Sequence, residues 1–276
     1  MCIRDSKNGV RTKAVFFGEQ TAKALKDEGF GADLIAANNV LAHVPDINDF
    51  VEGFCVLLKA NGVATFEFPH LLNLIEQNQF DTIYHEHYSY LSLLTVEKIL
   101  TAHGLAVFDV EELPTHGGSL RVYASHSGTR AAGERVVALR AKEKAAKLDR
   151  IEAYSTYTEQ VVRTKCEVLN FFIEAKRAGK TVAGYGAPAK GNTLLNYCGV
   201  GPEFMPYTVD RSPHKQGRYL PGTRIPIRHP DEILKTKPDY IFILPWNIKD
   251  EIVEQMKAAR EFGAKFVTAI PRLRIW

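Results

Sequence analysis

The sequence predicts a mixed α/β protein, and three observations carry that reading. Over residues 1–128, apolar runs of strand length alternate with amphipathic stretches. Over residues 129–179, charges recur at helical spacing, with no proline and, between Glu134 and Ala178, no glycine. Over residues 180–276 the alternation restarts with a strand, a glycine turn and a helix start. Two α/β domains joined by a solvated helical connector are expected, divided as 1–128, 129–179 and 180–276.

The 276 residues suffice for two domains of ordinary size. A content of 45% hydrophobic and 24% charged residues is that of a soluble globular chain. A net charge of +3 with no Lys/Arg block argues against a nucleic-acid partner. Cys2, Cys55, Cys166 and Cys198 are scattered and form no C-x-x-C pair, so neither a zinc knuckle nor a disulfide framework is indicated, and a reducing cytoplasm fits. No signal peptide and no bilayer-length apolar run is present, so no membrane partner is expected. Met1–Ser6 matches nothing that follows and reads like adapter sequence, so the native chain is expected to begin further upstream. Oligomeric state is left open.

In chain order, residues 13–17 read as a short strand. Residues 19–27 read as a helix with Ala22, Leu25 and the following Phe30 placed for packing. Residues 33–41 are an apolar run ending in two asparagines, the look of a buried parallel strand. Asn38, Asn39 and His43 would then sit at a carboxyl strand end, where α/β sheets bind ligands. Equally, the asparagines cap and turn the chain. A helix follows to about residue 59, a strand over 62–69 and a helix over 70–78. Thr95 reads as the N-cap of a helix that Gly104 ends. Residues 105–110 and 119–124 read as an antiparallel pair, with His116 in the glycine-bearing hairpin between them.

Residues 80–93 hold two histidines, two carboxylates and three tyrosines immediately after an apolar run. In a helix, Tyr84, His87, Tyr88 and Leu91 share a face, and His85 and Glu86 point elsewhere. A phenol beside an imidazole handles protons near neutral pH. The plainer reading is local hydrogen bonding on a half-buried helix. A metal site is not expected, because the His-Glu-x-x-His spacing is absent.

In the last third, Gly184-Tyr185-Gly186-Ala187-Pro188-Ala189-Lys190-Gly191-Asn192 forms the glycine turn. Backbone N–H groups and a helix dipole there would receive phosphate, with Lys190 adding charge and Asn192 a polar side chain. The spacing is not that of a P-loop, and as a dinucleotide fingerprint it is imperfect. Further strands end at Asp210 and at Pro245-Trp246-Asn247, a helix spans about 251–260, and a last strand spans 265–270. Asp210, Asn247 and the glycine turn could line one crevice at the strand ends.

Four stretches together resemble one family: Asn38-Asn39-Val40-Leu41-Ala42-His43-Val44-Pro45, Phe80-Asp81-x-x-Tyr84-x-Glu86-His87, Pro114-x-His116-Gly117-Gly118 and Gly184-Tyr185-Gly186-Ala187-x-x-Lys190-Gly191-Asn192-Thr193. They resemble the deoxysugar C-methyltransferases, S-adenosylmethionine-dependent enzymes acting on nucleotide-linked 4-keto sugars. The resemblance covers nearly everything after residue 8. It implies that residues 1–128 are an incomplete class I methyltransferase domain and 180–276 a Rossmann-like domain that binds the nucleotide sugar. His87 matches the general base, Tyr84 and Glu86 its active-site partners, and His43 a further active-site histidine. Asn38 and Asn39 fall to the cofactor. His116, Gly184, Tyr185, Gly186, Lys190, Asn192, Asp210 and Asn247 fall to the substrate.

Two departures matter. The zinc cysteines of the family's N-terminal module are missing, so zinc is expected only in that missing module. Missing too is the glycine loop that holds S-adenosylmethionine. The chain as given is therefore expected to bind that cofactor poorly, with an open edge on the strand at 33–39. A nicotinamide-dependent oxidoreductase using the Gly184 turn is the enzyme alternative. A non-catalytic nucleotide-sugar-binding fragment is the other.

Overall fold

The computed structural model describes residues 8–276, so the Met1–Ser6 stretch and Cys2 lie outside the described residues. Contacts divide the chain into two units. One comprises the described residues through His70 with Tyr88–Asp149, the other Leu71–His87 with Arg150–Trp276.

The first unit begins with helix α1 (Glu19–Asp27), strand β1 (Ala32–Asn38), helix α2 (Ile47–Leu57) and strand β2 (Leu58–Pro69). Helix α3 (Leu71–Glu76) belongs to the second unit. The first then resumes with α4 (Leu93–Ala102), β3 (Leu105–Leu113), β4 (Ser119–His126) and α5 (Glu134–Ala145). Its sheet has the order β1-β2-β4-β3, parallel between β1 and β2 and antiparallel elsewhere. Phe54 of α2 lies 4.5 Å from Phe66 of β2 between ring centroids, and Leu93, Val96, Leu100, Val136 and Leu139 complete the same core. Asp46 caps α2 by accepting from the N–H groups of Asn48 and Asp49, both at 3.0 Å.

Several expectations need correction here. Residues 13–17 form no strand, because no strand among the described residues pairs with them. Phe30 does not pack inward. It is exposed, with the Arg11 guanidinium 5.1 Å over its ring. Strand β1 is not buried on both faces. It pairs only with β2 among the described residues, and Leu34 is 63% exposed. The cap of α4 is Ser92, not Thr95. Ser92 Oγ accepts from the Thr95 N–H at 3.2 Å, which sets the helix start three residues earlier. Ser92→Ala is expected to cost about 1 kcal/mol in urea unfolding. A larger loss from Thr95→Ala would return the cap to Thr95.

Residues 129–179 are not a free connector. They form two helices whose apolar stripes enter different cores. Val136 and Leu139 of α5 sit in the first unit's core. Val168, Phe171 and Phe172 of α6 (Glu152–Arg177) sit in a core of the second.

The second unit continues with β5 (Val182–Tyr185), α7 (Ala189–Cys198), β6 (Thr208–Val209), β7 (Ile227–Arg228), α8 (Asp231–Thr236), β8 (Tyr240–Ile243), α9 (Lys249–Gln255), β9 (Lys265–Thr268) and β10 (Arg274–Ile275). The helix expected over 251–260 is shorter, with a 3-10 turn Lys257–Phe262 after it. The sheet order is β10-β9-β8-β5-β6-β7, parallel except for β10. Alternate residues of the strands serve opposite faces. Val182 and Phe242 pack with α6 and α7, while Ala183, Tyr185, Ile241 and Ile243 pack with α8 and α9. β5 and β8 are neighbours, but the next strands in sequence, β6 and β9, lie on opposite sides of that pair. Such a reversal opens a crevice at the carboxyl ends of the two strands.

Candidate functional site

In the first unit, the carboxyl ends of β1 and β2 gather polar groups. Asn38 is exposed and stands opposite Glu67 in the register. Asn39 adopts a left-handed backbone (φ 55°) and donates its N–H to the Glu67 carbonyl at 2.7 Å, so its backbone turns the chain. The Glu67 carboxylate is buried and receives Arg121 Nη2 at 2.7 Å and Thr115 Oγ1 at 3.3 Å. His116, in the same hairpin as Thr115, is exposed at φ 57°. His43 is half-buried at the end of the 3-10 turn Leu41–His43. Glu67 was not read as a site residue. The signal was a carboxylate inside the apolar run at 63–68.

Holding S-adenosylmethionine takes a backbone cradle at a strand end as well as polar side chains. Neither parallel strand of this unit runs through a glycine turn into a helix. β1 leads through Asn39 and Val40 into a 3-10 turn, and β2 leads through His70 into α3. The described residues of this unit thus supply polar groups at a strand end but no backbone cradle, and alone they do not fit that cofactor.

Residues 80–87 of the second unit, like 88–91 of the first, form no α-helix. Phe80–Thr82 is a 3-10 turn, and a second turn follows in which the Tyr84 carbonyl accepts the His87 N–H at 3.0 Å. This turn, rather than a helix face, brings the Tyr84 and His87 rings to 4.2 Å between centroids, tilted by 33°. Leu91 goes instead to the first unit's core. His87 is half-buried, while His85 and Glu86 are exposed. His87 Nδ1 lies 2.9 Å from the Thr82 carbonyl. A carbonyl only accepts, so Nδ1 carries the proton and the lone pair of the neutral ring is on Nε2.

The same segment is fastened to the crevice of the six-stranded sheet. Asp81 is fully buried, and its Oδ2 accepts from Trp246 Nε1 at 2.7 Å. Burial pushes its carboxyl up to about 7, opposed mainly by the charge of Lys190. Thr193 Oγ1 donates to the Ile83 carbonyl at 3.3 Å. Lys190 Nζ reaches Asn247 Oδ1 at 2.8 Å and lies 4.5 Å over the Trp246 ring. Burial lowers its pKa, and the charge of Asp81 works against that.

Gly184 and Gly186 are required by close approach. A Cβ at Gly184 would stand 2.7 Å from Thr208 Oγ1, and one at Gly186 2.5 Å from the Pro245 ring, where φ is +92°. Asn192 is half-buried in the first turn of α7. Tyr185 points to the other face, where its hydroxyl donates to Gln255 Oε1 at 2.9 Å. The Asp210 carboxylate accepts from the Ala187 N–H at 2.8 Å and from Lys215 Nζ at 3.3 Å, so it braces the glycine turn from within. Sequence reading brought together Tyr84 with His87 and Lys190 with Asn247. It gave no role to Asp81 or Trp246, whose contact spans 165 positions. The only local signal was a carboxylate and an indole set in apolar surroundings. Among the described residues, no group of three or more His, Cys, Asp or Glu is placed to hold a metal ion.

The class is thus a mixed α/β protein with a partly parallel first sheet and a doubly wound second one, whose crevice carries a glycine turn, a lysine and a histidine-bearing segment. Comparison with known proteins names the family. The family described as C-methyltransferase C-terminal domain matches residues 114–271, and that described as methyltransferase domain matches residues 2–110. The chain belongs to the C-methyltransferase family. C-methyltransferase NovU of Streptomyces niveus is 35% identical over 268 residues, 97% of this chain and 64% of the relative. The chain therefore spans 64% of the length of that curated relative. Magnesium protoporphyrin IX methyltransferase of Synechocystis PCC 6803 overlaps 36% of this chain and 47% of its own at 16% identity and a TM-score of 0.29. An S-adenosylmethionine-dependent methyltransferase of Listeria monocytogenes overlaps 45% and 75% at 12% identity and a TM-score of 0.32. Overlaps that partial say nothing of function. No helix among the described residues is long and apolar enough to cross a membrane.

Proposed function

We propose that this chain carries the proton-abstracting and substrate-holding part of an S-adenosylmethionine-dependent C-methyltransferase whose substrate is a nucleotide-diphosphate 4-keto deoxysugar. Bonding a methyl group to carbon requires a carbon nucleophile, and a C–H next to a ketone supplies one once a base removes its proton. The observation that carries the reading is the His87 Nδ1 contact with the Thr82 carbonyl, which leaves Nε2 as the basic nitrogen. Tyr84, beside that ring, donates to the enolate oxygen as charge develops there. The diphosphate lies at the N-terminus of α7, with Lys190 adding its charge and Asn247 and Asn192 their polar groups. S-adenosylmethionine supplies the electrophilic methyl group. Asn38 and Asn39 are the polar groups this chain offers toward it, without the backbone cradle that would hold it. The nicotinamide alternative is disfavoured because Asp210, the acid at the ribose position, is already engaged by Ala187 and Lys215.

The test needs no methyl donor. The chain is incubated in D₂O with a thymidine-diphosphate 4-keto-6-deoxy sugar, and the hydrogen next to the ketone is followed by NMR. Enzyme-dependent exchange for deuterium is expected. Binding without exchange would leave only the non-catalytic binding reading, and the assignment of His87 as base would fall.

A further inference from the structure

Asp81 is the one fully buried acid of the second unit that the proposed reaction does not use. It lies in the turn Phe80–Thr82, and one of its oxygens takes the Trp246 indole N–H while the other, Oδ1, has no partner. Around it, other contacts pin the same short segment. Asn78 Nδ2 donates to Thr164 Oγ1 of α6 at 2.7 Å. Phe80 meets Tyr197 of α7 edge-on at 5.4 Å, and Thr193 holds the Ile83 carbonyl. Thr82, the next residue, carries the carbonyl that fixes His87 Nδ1. A shift of residue 81 therefore moves the acceptor that orients the imidazole.

We propose that Asp81 is a positioning residue: its carboxyl clasps the Trp246 indole, fixes the turn that orients His87, and is coupled through Lys190 to an anion at the glycine turn. This rests on the function proposed above. The side chains that act on Asp81 are Lys190 from α7 and Trp246 from the turn after β8, with the backbone of Asp81 and Thr82 beside them. Of these, Lys190 is the charge that acts on it.

The sign follows from burial. The folded carboxyl titrates at about 7 instead of 3.8, so the docked turn holds more protons than an opened, hydrated one between those values. The docked state therefore loses stability relative to the opened one as pH rises through this window, up to about 7. An anion that neutralises Lys190 removes the charge favouring ionised Asp81 and keeps the carboxyl protonated. By the same linkage, occupancy of the glycine turn moves the titration of Asp81, and with it the loss of docking, to higher pH without adding to the stability of the docked segment.

The chain contains two tryptophans, so Trp276→Phe leaves Trp246 as the sole reporter. In that background Trp246 emission is expected to change with pH, with a midpoint near 7. Asp81→Asn, which keeps an acceptor for the indole, should abolish the transition. Lys190→Met and added inorganic pyrophosphate should both move it to higher pH. The His87 ring resonances in NMR should follow the transition in the parent and lose that step in Asp81→Asn. Asp81→Ala should slow deuterium exchange of bound substrate at least about tenfold without a matching loss of substrate affinity. A Trp246 transition that persists in Asp81→Asn, or His87 resonances blind to it, would overturn the proposal. Absence of exchange in the parent chain would instead sink the function proposed above, leaving the fluorescence arm intact. If pyrophosphate fails to move the midpoint while Lys190→Met does, the clasp stands and its coupling to an anion falls.

Discussion

On the function proposed above, His87→Asn is expected to lower deuterium exchange of the substrate by about 10²–10⁴-fold. The asparagine amide can still donate toward the Thr82 carbonyl, which His87 Nδ1 meets at 2.9 Å, so the turn is retained. What is lost is a side-chain lone pair able to take a proton at neutral pH. Nucleotide-sugar affinity should stay close to the parent value, because the proposal assigns the diphosphate to the N-terminus of α7, where Lys190 lies, and not to His87. The two numbers separate a base from a binding residue: kcat collapses and KM does not. Exchange near the parent rate in this variant would remove His87 from the chemistry.

The largest stability effect is expected at Glu143. Its side chain is fully buried, and Oε1 meets both His70 Nε2 and the Leu93 N–H at 2.7 Å, while Oε2 takes the Leu94 N–H at 2.9 Å. Leu93 and Leu94 open α4, so the carboxylate also sits where the helix dipole favours negative charge. Glu143→Ala strands two backbone donors and a ring nitrogen in the core. Breaking such a buried pair costs about 3–5 kcal/mol. Urea unfolding of the first unit should show it, and Glu143→Gln, which keeps one acceptor, should lose less. A loss below about 1 kcal/mol on alanine substitution would mean that water replaces the carboxylate there.

Glu143 also marks where sequence reading stops. Between Lys142 and Lys144 on a charged helix it looks solvated, and only its partners, some fifty or more positions away, show otherwise. What the sequence made legible was local. Helix α1, the β3–β4 hairpin and the strand–glycine turn–helix at Gly184 follow from periodicity and from glycines whose conformation or close packing admits nothing larger. The pairing of Tyr84 with His87 was anticipated but attributed to a helix, because a turn and a helix place residues three apart alike. Ser92 was passed over for Thr95 because both are good caps and the difference is a backbone angle. Asp81 and Trp246 left no local trace, since what joins them is the return of a distant strand end.

Residues 71–87 are packed with residues 150–276 although they interrupt the N-terminal half. Genetic dissection therefore has no single clean cut. A fragment begun at Arg150 would carry the doubly wound sheet but not Phe80 or Asp81, leaving an empty slot beside Tyr197 and an indole hydrogen without its acceptor. His87, the base of the proposed reaction, is grouped with Asp81 and Trp246 and not with Tyr88, its neighbour in the gene.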